Sequence, residues 1–294
     1  MILRYLPIAD RNALQLQTFL VVRSQLEGVK LATVKPVNYP AADGTLVPAY
    51  LTLPPGQEDA KDLPAIVMPH GGPSARDEWG FDWLAQFYAA RGFAVLQPNY
   101  RGSAGYGDAW FKRNGFRSWE AAIGDILDAG RWLTAQHIAD PAKLAIVGWS
   151  YGGYAALQSA VVDPSLYKAV VAIAPVTDLQ ALKEEHRYWS DFYLVSDYVG
   201  DGSHVREGSP AQNAKRIKAP VLMFHGALDS NVAIEQSKRM AANLQSAGVQ
   251  SELVTWDNLD HQLDDSAVRT EMLRKSEAFL RRTLGLVPPP AQPQ

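Results

Sequence analysis

No cysteine occurs in the 294 residues, and that one absence removes a disulfide framework, a thiolate zinc site and a cysteine nucleophile together. No apolar run approaches the length of a membrane span. The opening stretch, Met1 to Ser24, lacks the long apolar core and small-residue cleavage site of a signal peptide, Phe19 to Val22 being too short. If Met1 is the natural start, the expected location is the cytoplasm. Net charge is scarce, −3 at pH 7 from 28 Lys and Arg against 31 Asp and Glu. Neither nucleic acid nor a membrane is therefore expected as a partner. H-x-H, H-E-x-x-H and clustered carboxylates are missing, so no metal and no cofactor is expected. Internal repeats and linker-like stretches are missing too.

What is present is an ordinary globular composition, 47% hydrophobic and 20% charged, with enough length for one large α/β domain or two small ones. The most demanding stretch is Lys143 to Ala156, KLAIVGWSYGGYAA. Leu144 to Val147 reads as a buried strand, and a helix-forming run follows Gly152 and Gly153. Between them Gly148-Trp149-Ser150-Tyr151-Gly152 is G-x-S-x-G in strand–turn–helix context. Small flanking residues let the chain turn sharply enough to hold a serine hydroxyl above the sheet. Ser150 is the expected nucleophile, and the Tyr151 amide at the helix start is an expected donor to an oxyanion.

Around this stretch the chain alternates strands and helices. Lys35 onward gives a hairpin turning at Ala42-Asp43-Gly44. Pro64 to Met68 reads as a strand running into Pro69-His70-Gly71-Gly72-Pro73, whose paired glycines let backbone amides approach a ligand. Phe81 to Arg91 reads as a helix and Phe93 to Leu96 as a strand. In the glycine-rich loop that follows, Arg101 is read as a structural tie to an acidic side chain ahead of a substrate anchor. Ser118 is the expected N-cap of a helix from Trp119 to His137, broken by Asp140-Pro141. Lys168 to Ala174 and Pro220 to Phe224 read as strands flanking an irregular, aromatic excursion, Thr177 to Ala214, that suits a binding wall. Val232 to Ala247 reads as helix, Ser251 to Trp256 as strand and Ser266 to Leu284 as a closing helix. The pattern predicts an α/β fold, a mainly parallel sheet with helices on both faces.

A serine hydroxyl needs a base, and the base an orienting carboxylate. In a G-x-S-x-G hydrolase these follow as serine, acid, histidine, on loops at the C-terminal ends of parallel strands. Asp229 and His261 occupy the loops after consecutive strands in that order. Of the six histidines only His261 follows the acid, while Asp257, Asp260, Asp264 and Asp265 lie on the wrong loop for the acid. His225 reads as a supporting residue.

The set HGGP (70–73), NYRGSAGYG (99–107), GWSYGGYAAL (148–157), IAPVTDL (173–179), HGALDSNV (225–232) and DH (260–261) resembles the catalytic domain of the prolyl oligopeptidase family of serine peptidases, its acylaminoacyl-peptidase and dipeptidyl-peptidase branches above all. The resemblance implies an α/β-hydrolase fold over 35–285, an N-terminal extension over 1–34 like the exit from a propeller, and a disordered tail over 286–294. It implies Ser150, Asp229 and His261 as the triad, His70 and Tyr151 at the oxyanion hole, and Tyr151, Val176, Leu179 and Val232 lining the pocket for the residue before the scissile bond, with Asn231 holding a substrate carbonyl. It departs from the family in having Gln262 where a glycine usually follows the histidine, and in lacking a β-propeller ahead of the hydrolase.

The function so implied is a serine peptidase hydrolysing short peptides through an acyl-enzyme. A carboxylesterase acting on small esters is the alternative in the same chemistry. A non-catalytic hydrolase-fold binding protein is the third reading, against which the intact Ser150, Asp229 and His261 argue. The expected partner is a short peptide or small ester, and the resemblance leaves room for a homo-oligomer and for a β-propeller domain outside this chain.

Overall fold

The computed structural model describes residues 2–5, 17–21 and 23–287. Near the N-terminus β1 (Ile2–Tyr5) and β2 (Gln17–Val21) pair antiparallel as a separate ribbon, in a stretch whose sequence shows no period. The main sheet then begins with the hairpin of β3 (Thr33–Pro40) and β4 (Leu46–Leu53), in register from Thr33↔Leu53 to Pro40↔Leu46. Its turn closes through Ala41 N–H to the Thr45 carbonyl at 2.8 Å and Gly44 N–H to the Ala41 carbonyl at 2.9 Å. Gly44 takes φ 82° there, a conformation open to glycine at no steric cost.

From there strands and helices alternate: β5 (Leu63–Val67), α1 (Trp83–Ala90), β6 (Ala94–Pro98), α2 (Asp108–Phe111), α3 (Trp119–Ala135), β7 (Ala139–Trp149), α4 (Tyr151–Val162) and β8 (Ala169–Ile173). After an excursion of three short helices, α5 (Leu179–Glu185), α6 (Phe192–Val199) and α7 (Ser203–Glu207), the alternation resumes with β9 (Val221–Gly226), α8 (Ile234–Ser246), β10 (Ser251–Trp256) and α9 (Ser266–Thr283). The eight strands lie in the order β10-β9-β8-β7-β5-β6-β4-β3, parallel except at the β3–β4–β6 edge.

Both faces of this sheet are covered, so its central strands are apolar on both sides. Ala65, Val67, Leu144 and Ile146 point into one core with α3, α4 and α8. The alternate residues Ile66, Ala145, Val147 and Val171 point into a second core with α1 and α9. This is why the strands read as unbroken apolar runs. At the chain's end Leu286 packs against the second core; residues 288–294 of the expected tail lie outside the described residues.

Three local expectations change. Ser118 precedes α3 but does not cap it: its hydroxyl donates to the Arg113 carbonyl at 2.6 Å, and the 3₁₀ turn Phe116–Ser118 leads directly into the helix. Asp140-Pro141 lies inside β7 rather than before it. The pairing with β5 skips from Leu63↔Ala139 to Ala65↔Leu144, so Pro141 sits where the ladder asks for no N–H. The excursion, read as irregular, is helical in pieces too short to show a period. Asp178 starts the first by accepting from the Ala181 amide at 3.0 Å.

Arg101 is the tie its loop needs. Its guanidinium meets Asp125 on α3 through Nε to Oδ2 at 3.0 Å and Nη2 to Oδ1 at 2.6 Å, and reaches Asp43 in the β3–β4 turn. Asp125 is wholly buried, so the charge depends on that partner. Arg101→Ala, leaving a buried carboxylate unpaired, should destabilise the protein by about 3–5 kcal/mol. Urea unfolding checks this, and a loss below about 1 kcal/mol would show the pair to be replaceable by water.

Candidate active site

Where β7 meets α4 the backbone does something costly. Ser150 takes φ 60°, ψ −121°, a region that costs a non-glycine residue of order 1–3 kcal/mol. Its surroundings leave no alternative. A Cβ at Gly148 would lie 2.1 Å from the Gly152 carbonyl oxygen, and one at Gly152 would lie 2.1 Å from that of Pro69. Ser150 N–H donates to the Ile173 carbonyl at 2.8 Å, and the Ser150 carbonyl accepts from Tyr154 at 3.0 Å. The serine is thus pinned at the C-terminal edge of the sheet with its hydroxyl facing a cavity of about 460 Å³.

The Gly71-Gly72 turn runs beside it. A Cβ at Gly71 would stand 3.1 Å from the Trp149 carbonyl oxygen and 3.5 Å from Ser150 Cβ, and Gly72 lines the cavity. His70, expected at an oxyanion hole, is engaged elsewhere. Its ring stacks on Tyr100 with centroids 4.4 Å apart. Nδ1 lies 2.7 Å from the Gly71 carbonyl and Nε2 2.7 Å from Ser103 Oγ. A carbonyl only accepts, so Nδ1 carries the proton. Burial pushes the imidazole pKa down to about 4, the Gly71 bond offsetting only part of that. The neutral ring therefore braces the turn, and the groups beside the serine are backbone.

On the neighbouring loops Asp229 and His261 meet directly, Nδ1 to Oδ2 at 2.6 Å. Asp229 Oδ2 also faces His225 Nε2 at 3.1 Å, while Oδ1 accepts from the Asn231 and Val232 amides at 2.9 Å each. Burial raises the Asp229 pKa, but the bonds from His225, His261 and Val232 outweigh it and hold the carboxyl well below the usual range. With Nδ1–H given to Asp229, His261 Nε2 is left as an acceptor. The two loops are zipped together by Ala227 N–H to the Trp256 carbonyl and Leu228 N–H to the Leu259 carbonyl, both at 2.8 Å.

The Ser150 hydroxyl makes no hydrogen bond among the described residues. What links its turn to the histidine loop is the preceding residue, since Trp149 Nε1 donates to the His261 carbonyl at 3.0 Å. Three of the four rival carboxylates are occupied: Asp260 accepts from the Gln262 amide, Asp264 pairs with Arg269 and Asp265 caps α9. Gln262 is not among the residues of positive φ, whereas Leu263 is, at 48°. Nothing in the backbone at 262 calls for glycine.

Of the expected pocket residues, Tyr151, Val176, Asn231 and Val232 line the cavity. Leu179 does not, being fully buried beneath it. One and two turns further on, Leu182 and His186 line it instead, with Trp189 and Asp191 beyond. A helical phase starting at Leu179 would have found the first two. A larger hollow of about 690 Å³ between α8 and β10 is lined by no titratable side chain.

Among the described residues no group of His, Cys, Asp and Glu could hold a metal ion, and no helix is long and apolar enough to cross a membrane. Residues 79–287 match the model of the prolyl oligopeptidase family. The chain belongs to the prolyl oligopeptidase family. Dipeptidyl aminopeptidase BIII of Pseudoxanthomonas mexicana is 31% identical over 94% of this chain and 42% of its own length. The human acylamino-acid-releasing enzyme is 26% identical over 81% of this chain and 34% of its own. A Mycobacterium tuberculosis puromycin-hydrolyzing peptidase superposes with a TM-score of 0.81 at 29% identity, over 90% of this chain and 41% of that one. The chain thus spans about a third to two-fifths of the length of such relatives, and its fold is the α/β-hydrolase fold.

The segment after Gly72 is anchored by Asp77, whose Oδ1 accepts from Gln97 at 3.1 Å and whose amide donates to Asn99 at 2.8 Å. Its Oδ2 is buried without a partner. Burial, with Asp82 nearby, lifts the carboxyl from 3.8 to about 8. A raised acid binds its proton more tightly in the folded state, so this contribution is full below pH 4 and lost as pH climbs towards 8. Asp77→Asn should therefore gain stability over wild type between pH 4 and pH 8. Thermal melts across that range check it, and parallel curves would show Asp77 to be ionised in the fold.

Proposed function

We propose that the protein is a serine peptidase that cleaves short peptides through an acyl-enzyme, with Ser150 as nucleophile, His261 as base and Asp229 as the acid that orients it. The observation that carries the reading is the strained serine at the strand–helix turn, beside a loop on which the imidazole is held by a buried carboxylate at 2.6 Å. Its catalytic unit is the stretch 35–285, a span supported by a main sheet starting at Thr33 and a last helix ending at Thr283.

In the first step Ser150 Oγ attacks the scissile carbonyl carbon while His261 Nε2 takes the hydroxyl proton. Asp229 keeps the proton on Nδ1 and stabilises the imidazolium. The carbonyl oxygen gains the negative charge, and two backbone sources can meet it. One is the Tyr151 amide, at the first position of α4 and free of an intrahelical partner. The other is the Gly71-Gly72 turn. Collapse of the tetrahedral species breaks the C–N bond, the amine leaving with the proton from His261. Water then repeats the sequence on the ester, its proton passing through His261 and the acid product leaving Ser150 free. The side chain before the scissile bond enters the cavity between Tyr151, Val176 and Val232. The Asn231 side-chain amide, unbonded among the described residues and lining the cavity, would donate to a substrate carbonyl.

Ser150→Ala should lower hydrolysis of an aminoacyl p-nitroanilide by about 10⁴-fold or more. A near wild-type rate in that variant would place the nucleophile elsewhere. Cleavage of a p-nitrophenyl ester but of no anilide would make the protein an esterase, and cleavage of neither would make it a binding protein.

His225 is a positioning residue in this scheme, its Nε2–H shared between Asp229 Oδ2 and the Val232 carbonyl at 2.9 Å. Losing one hydrogen bond to a charged group is worth about 1.5–3 kcal/mol, so His225→Phe should cost about 10- to 100-fold in kcat/KM. The loss should fall on kcat with KM little changed, because Asp229 then holds the imidazole less firmly while the substrate cavity is untouched. A loss carried by KM would reduce His225 to a packing role.

A further inference from the structure

The cavity beside Ser150 is lined in part by a pair of side chains for which the proposed mechanism has no use. His186 closes α5 and Asp191 stands immediately before α6. Their side chains meet with Nδ1 3.0 Å from Oδ1. His186 is 8% exposed, whereas the Asp191 side chain is 45% exposed. Both line the cavity. Asp191 sits at the N-cap position of α6 yet makes no capping hydrogen bond, which forgoes the stabilisation an aspartate there normally provides. Its carboxylate is turned to the histidine instead.

The pair's chemistry is one-sided. An ionised carboxylate only accepts, so His186 Nδ1 donates to Asp191 Oδ1. Asp191 Oδ2 makes no hydrogen bond among the described residues. The cavity lining therefore offers a carboxylate oxygen with no partner of its own. No lysine or arginine lines the cavity, and beside Ser230 and Asn231 its walls carry the apolar Val176, Leu182, Val195 and Val232 and the half-exposed Trp189. An aliphatic stem fits such walls while a cation at its tip meets the carboxylate, with the Trp189 indole on the same cavity. A purely apolar side chain of the same length would leave that oxygen unanswered.

We infer that His186 and Asp191 make this cavity the binding site for a cationic group of the substrate, an ammonium or guanidinium, selecting lysine or arginine before the scissile bond. The inference rests on the proposed peptidase reading. A free terminal amine carries the same chemistry as a lysine side chain, so the substrates must separate the two.

The test uses the whole chain and four p-nitroanilides: N-acetylated dipeptides ending in lysine, arginine or norleucine, and an unblocked dipeptide ending in norleucine. Wild type should favour lysine and arginine over blocked norleucine by about tenfold in kcat/KM, expressed mainly in KM. Asp191→Asn should erase most of that ratio. Asp191→Lys, a charge reversal at an exposed position, should push the cationic substrates below norleucine, which keeps the test valid if either variant folds poorly. Equal turnover of all blocked substrates, or a preference untouched by both variants, would overturn the inference. A gain confined to the unblocked dipeptide and lost in Asp191→Asn would overturn the side-chain assignment and place the cation at the amino end. Loss of all turnover in wild type would instead defeat the peptidase reading, a failure separable from this one because norleucine hydrolysis reports on the machinery alone.

Discussion

A single backbone crossing organises this molecule. At the end of β7 the chain must reverse into α4 within so little space that the carbonyls of Gly152 and Pro69 occupy positions a methyl group would need. Ser150 bears the strain with a positive φ, and the neighbours that hold it are long-range: Ile173 on β8 accepts its amide, and Pro69 follows β5. The turn exists only because three adjacent strands are in register around it. Two apolar cores on the two faces of the sheet supply that register, so packing far from the cavity sets where the hydroxyl points.

The electrostatics of the site follow the same logic of satisfaction. The Asp229 carboxylate is buried, which alone would favour its neutral form. Two imidazoles and two amides answer its lone pairs, and it stays ionised. Asp77 is the contrast: buried, with one donor and one bare oxygen, it is pushed towards its protonated form. Burial of a carboxylate is not the deciding quantity, since the count of donors aimed at it is.

How much of this the sequence discloses depends on the range of the forces concerned. The elbow was legible because its glycines are demanded within five residues of each other, and the β3–β4 turn because Asp-Gly encodes it locally. The meeting of Asp229 with His261 was legible from chain order, a rule of topology. The ribbon of β1 and β2 was not, since it carries no period, and the short helices of the excursion were hidden by their brevity. Leu179 was expected at the cavity, but the phase of α5 turns Leu182 and His186 there instead. The ring of His70 turns on Ser103, more than thirty positions away, and no local pattern encodes such a choice. Membership of the prolyl oligopeptidase family, read from six short motifs, is borne out by a match over 79–287.

The strand order has an outcome for durability. Among the described residues β10 is an edge strand, paired on one side only and half-buried along its length, and it delivers the loop carrying His261. β7, which delivers Ser150, lies in the middle of the sheet. Fraying begins where cross-strand bonds are fewest, so on warming the histidine loop would detach while the serine turn and both cores persist. Loosening of the Asp229–His261 contact would then run ahead of melting and reverse on cooling, the sheet acting as a thermal fuse with its weakest link at the β10 edge.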